Sequence, residues 1–96
     1  MQDYDITTIA DKLSGVPEVE YVLAKKQKGV ISVWTVINGW SPAARNRVYQ
    51  SEQAVIDNMP GYDFDFHLIE RTGREIGAIK DIIPEASPIF IRLEHR

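Results

Sequence analysis

Val30–Ile37, VISVWTVI, limits what this chain can fold into more than any other stretch. It is almost continuously apolar and rich in β-branched side chains. That pattern suits a strand buried on both faces, so it belongs inside a sheet. The next segment is equally restrictive. Asn38-Gly39-Trp40 ends the strand, Ser41 is a good helix cap and Pro42 a good first helical residue. Ala44, Val48, Val55 and Met59 then recur at helical intervals until Pro60-Gly61 stops the helix. A strand, a helix and a second strand in that order form a right-handed crossover, which makes the two strands parallel.

Periodicity places the remaining segments. Ile6, Ile9, Ala10 and Leu13 mark one face of a short helix over 5–14, with Asp3 or Asp5 at its start and Gly15 and Pro17 at its end. Residues 18–26 alternate, with Val19, Tyr21 and Leu23 on one side, and the link KKQKG carries Gly29, which suits a tight hairpin to the next strand. Residues 62–70, YDFDFHLIE, form a third strand. Residues 75–83 read as a short helix or an irregular loop. Residues 87–94 form a fourth strand, with Ile89, Ile91 and Leu93 on one side.

The 96 residues therefore form one domain, 1–96, of α+β class. The expected architecture is a two-layer sandwich with the order αββαββ. A four-stranded, mainly antiparallel sheet carries both helices on one face. Moving the first strand of a ferredoxin-like fold to its end gives this order, which predicts the spatial sequence third, fourth, second, first. A meander with the fourth strand on the outside is the rival topology.

Composition excludes several functions. There is no cysteine, which removes disulfides, thiolate zinc sites and cysteine nucleophiles, and fits a reducing compartment. The net charge of -3 lacks the concentrated positive field that nucleic-acid or anionic-membrane binding needs. The polar N-terminus does not read as a signal peptide, and no apolar run approaches a bilayer span, so the expected location is the cytoplasm.

The third strand raises the one question of chemistry. Alternation puts Asp63, Asp65 and His67 on one face and Phe64, Phe66 and Leu68 on the other. The apolar trio should lie under the long helix, with Phe66 fully buried and each side chain contributing about 1.5–3 kcal/mol. Asp63, Asp65 and His67 then form the wet side of the strand, with Arg92 as a cross-strand neighbour. Two carboxylates at this spacing can share a Mg²⁺ or Mn²⁺ ion, and an imidazole favours a transition metal. The favoured reading is a solvated edge, where charges discourage unwanted strand pairing. The acidic pair also resembles that of nucleotidyltransferases. That family's Gly-Ser turn precedes its acidic pair closely, whereas here a long helix separates Ser41 from Asp63.

Other candidates are weaker. Trp34, Trp40, Tyr21 and Phe90 are the aromatics from which a base-stacking platform would be built, but no RNA-recognition motif accompanies them. Arg45, Arg47, Arg71 and Arg74 are the densest arginine set, and two of them open the long helix, where its dipole disfavours cations. Glu52 is their expected acidic partner on a solvated face. His95 and Glu94 lie at the terminus, and no serine is placed for a triad.

VWTVIN, the RxRVYQxEQ helix and DFDFHLIERTG together resemble a family of short prokaryotic proteins with no assigned activity. The resemblance implies a similar fold and brings no catalytic residues. Two functional readings suit these features. The first is a non-catalytic interaction module, with no cofactor, that forms a homodimer through an open sheet face bearing Val22, Trp34 and Phe90. The alternative is a small metal-dependent enzyme using Asp63, Asp65 and His67.

Overall fold

A computed structural model of the chain describes residues 3–38, 41–70 and 87–91. Gly39, Trp40, Arg71, Arg74, Arg92, Glu94, His95, the 75–83 segment and the end of the fourth strand lie outside the described residues. The elements run α1 (Asp3–Ser14), β1 (Val19–Gln27), β2 (Val30–Ile37), α2 (Pro42–Asn58), β3 (Asp63–Glu70) and β4 (Ser87–Ile91). This is an α+β fold with a four-stranded mixed sheet and two helices.

Local chemistry accounts for most boundaries. Lys28 and Gly29 have φ of 53° and 84°, so both central turn residues are left-handed. That conformation matches the twist of a two-residue hairpin, and glycine adopts it without steric cost. Ser41 is extended, with φ -153° and ψ 125°, and its hydroxyl accepts from the Ala44 amide at 3.3 Å. Pro42 comes next as first helical residue, where its missing N–H costs nothing. Gly61, at φ 103°, reverses the chain into β3. α1 begins at Asp3, two residues before the expected start.

The sheet order is β3-β2-β1-β4. β2 and β3 pair in parallel from Val30↔Asp63 to Ile37↔Glu70, as the crossover requires. β1 is antiparallel to β2 and to β4. The expected order of third, fourth, second, first is therefore wrong: the fourth strand does not enter between β2 and β3 but lies outside β1, at a border of the sheet yet not beside β3, where a meander would set it. The physical reason lies in β1. Tyr21, Val22, Leu23 and Ala24 are all buried, so β1 is covered on both faces and needs a neighbour on each edge.

Two bulges redirect the side chains. Register shifts between Val19 and Tyr21, so Glu20 is the extra residue and the two apolar neighbours face opposite sides. Val19 joins the main core and Tyr21 a second cluster with Leu23 and Val36. A second irregularity opposite Val22 and Leu23 pairs Phe90 with Val22. Ile89 and Phe90 consequently both pack against the main core.

That core contains Ile9 and Leu13 of α1, Val48, Val55 and Met59 from the α2 region, and Val22, Ile31, Val33 and Ile37 of the sheet. Phe64, Phe66 and Leu68 pack against it from β3 and remain half-buried. Phe66 is thus not fully buried as expected. It lies on the outermost strand, where the core reaches it from one side only. Phe64 and Phe66 stack with ring centroids 5.3 Å apart and planes 12° from parallel. Among the described residues, no helix is long and apolar enough to cross a membrane.

Candidate interaction site on the third strand

β3 delivers two different faces to one border of the sheet. Asp63, Asp65 and His67 are exposed on the face away from the main core. His67 Nε2 lies 3.0 Å from Asp65 Oδ2. On the same face the parallel register sets His67 beside Trp34 of β2. Their rings stack, with centroids 5.2 Å apart and planes 13° from parallel. The imidazole is therefore held by a carboxylate at its edge and an indole at its face.

The three residues foreseen as ligands share a face but do not converge. Among the described residues, no group of three histidine or carboxylate side chains could hold a metal ion. The spacing explains this: residues in a row on one strand point side by side, and Asp65 already engages His67.

Of the three residues expected on an open face, only Trp34 is there. Val22 is fully buried in the main core and Phe90 packs against it. The two bulges are the reason, because each shifts the alternation from which the open face was inferred. The stacking platform does not assemble either. Tyr21 is buried in the second cluster, while Phe90 is on the opposite face.

Two ion pairs tie the first turns of α2 to the sheet side, one of them at this border. Arg45 Nη2 donates to Glu70 Oε1 at 2.6 Å, joining the first turn of the helix to the end of β3. Arg47 pairs with Glu18, its Nε donating at 3.3 Å and its Nη2 completing a fork. The Arg47 guanidinium holds the Glu18 carboxyl below the usual range. Carboxylates from the sheet side thus answer the two arginines that the helix dipole disfavours.

Glu52 does not serve either arginine. It is buried with Ala44, Val48 and Val55 on the inner face of α2. Burial pushes its carboxyl up to about 7, while His67 acts in the opposite direction. The spacing 44, 48, 52, 55, 59 contained this information, since Glu52 completes the apolar stripe. Thr35 is the other buried polar residue among those described, and its hydroxyl has no hydrogen-bond partner among them.

The sequence matches no protein-family model and no curated relative.

Proposed function

We propose that this chain is a non-catalytic interaction module of the cytoplasm that works as a two-fold homodimer, joined through the β3 side of its sheet. The observation that carries the reading is the character of β3. Among the described residues it is a full-length strand at the sheet border, exposed on one face and flanked by half-buried aromatics on the other. An unpaired strand edge is a template for pairing with another chain. Half-exposed Phe64, Phe66 and Leu68 add apolar area that a partner would remove from water, at about 25 cal/mol per Å². Closed two-fold symmetry is the commonest way for one surface to cover itself.

Sedimentation velocity across the micromolar range tests the reading. The expected species has twice the 10.9 kDa chain mass. A single-chain mass throughout that range would exclude self-association.

A further inference from the structure

We infer that the border between α2 and β3 is a binding site for a small apolar amine, with the Glu52 carboxylate and the Thr35 hydroxyl receiving the ammonium group. The site does not depend on self-association. It starts from two polar side chains that the fold buries without using. Glu52 is 9% exposed. Among the described residues no side chain hydrogen-bonds or ion-pairs with it. Thr35 is 0% exposed, and its hydroxyl has no hydrogen-bond partner among them either.

The two groups meet at one level of the fold. β2 and β3 are parallel, so the helix that joins them runs antiparallel to both. The Arg45–Glu70 contact of 2.6 Å fixes the start of α2 against the end of β3. Glu52 follows Arg45 by seven residues, about 10 Å along a helix. Three residues back from Glu70 is also about 10 Å along a strand, which is the level of His67. His67 is the charged group that acts on the Glu52 carboxyl. Leu68 comes next on the core side, and its partner across the register is Thr35. Val33 and Ile37 both belong to the main core, so alternation turns Thr35 between them toward α2 as well. A helical side chain leans toward the helix N-terminus, which carries the Glu52 carboxyl toward Thr35.

The same flank is apolar and partly open. Seven residues bring Glu52 back to within about 20° of Arg45 around the helix, so it looks toward β3 rather than β1. Tyr49 and Ile56 stand farther out on that flank and are exposed, at 49% and 40%. Phe66 and Leu68 rise from β3 below them and are half-buried. Tyr49 and Ile56 are about 10 Å apart along the helix, which limits an occupant to a single ring or a short alkyl chain.

Charge and hydrogen bonding then select the ligand class. A carboxylate and a hydroxyl at the bottom of apolar walls are acceptors, and an ammonium group has three donors and no acceptor. The arginines of α2 are engaged elsewhere, Arg45 with Glu70 and Arg47 with Glu18, so the counter-charge for Glu52 comes from outside the helix. An alcohol leaves the buried carboxylate without a counter-charge, and an anion is repelled by it. Away from water the ammonium–carboxylate attraction is stronger than at the surface, while the walls cover the apolar body.

Hexylamine and hexan-1-ol are the probes, since they share a chain and differ in the ammonium group. Amide chemical shifts are followed at pH 8, where the Glu52 carboxyl, raised to about 7, is ionised. Hexylamine should bind at least about tenfold tighter than hexan-1-ol, with shifts centred on residues 49–56 and 66–68. Glu52→Gln removes the charge and keeps the shape, and should lower hexylamine to the affinity of hexan-1-ol. Thr35→Val should weaken hexylamine and leave hexan-1-ol no worse by more. Equal binding of the two probes by the wild type, or binding of neither, overturns the site. So does an amine preference that survives Glu52→Gln, which would put the ammonium at exposed carboxylates such as Asp63 and Asp65. Sedimentation of the same samples reports self-association separately: a single-chain species that prefers hexylamine keeps the site, and a dimer that binds neither probe keeps only the self-association.

Discussion

The indole of Trp34 and the imidazole of His67 lie 5.2 Å apart on neighbouring parallel strands, with planes 13° from parallel. The contact joins the buried strand of the sheet to its border, and it sets the direction in which the imidazole meets Asp65. Aromatic pairs of this kind contribute about 0.5–1.5 kcal/mol beyond burial. A double-mutant cycle of Trp34→Ala and His67→Ala, read by urea unfolding at one protein concentration, should return a coupling in that range. Additive effects would mean that the stack contributes nothing.

Asp63→Asn combined with Asp65→Asn should change monomer stability by less than about 1 kcal/mol, because both carboxylates are exposed and such pairs are weak. Thermal melts with Mn²⁺, Mg²⁺ or Zn²⁺ should coincide with the melt in buffer. A rise in Tm that disappears in the double variant would establish a metal site at Asp63, Asp65 and His67, since a ligand of the folded state raises Tm by mass action.

Glu52 gives stability a defined pH dependence. Its folded carboxyl is raised to about 7 by burial, from 4.5. Below the lower value it is neutral in both states, and its contribution is fully present. As pH rises the unfolded chain ionises first, so stability falls until pH passes the folded value and then levels off. The loss is roughly 3 kcal/mol, and Glu52→Gln should remove it, leaving the variant more stable than wild type above pH 8. Chemical unfolding from pH 4 to 9 measures this. Parallel profiles for the two proteins would show that Glu52 is not the group responsible.

Thr35→Val should stabilise the chain by about 1 kcal/mol, because it removes a buried hydroxyl with no partner among the described residues and keeps the side-chain shape. A loss of stability would show that the hydroxyl is bonded.

Much of the architecture was legible because it rests on local chemistry. The Ser41-Pro42 cap, the Gly61 reversal and the Lys28-Gly29 turn punctuate the chain where the sequence marks them. The parallel β2–β3 pairing comes from crossover handedness. The two bulges were not legible, because a bulge adds one residue to a strand without changing its composition. The extra residue Glu20 sent Tyr21 to the face opposite Val19, and the separate irregularity in the β1–β4 pairing brought Phe90 to the core side. The place of β4 was readable in principle from Tyr21, Val22, Leu23 and Ala24, an uninterrupted apolar run that marks β1 as internal. At the site, alternation put Asp63, Asp65 and His67 on one face. The stack on Trp34 needed the register of β2 against β3, which alternation alone does not provide.

The account depends most on the outer edge of β3, and amide hydrogen exchange reads that edge directly. Alternate amides of a strand point to opposite edges, so every second β3 amide faces β2 and the others point away from the described strands. We predict that amides from Asp63 to Glu70 are protected on both edges at high protein concentration. On dilution the outward set should lose protection while the inward set keeps it. Outward amides that exchange freely at every concentration would contradict the account.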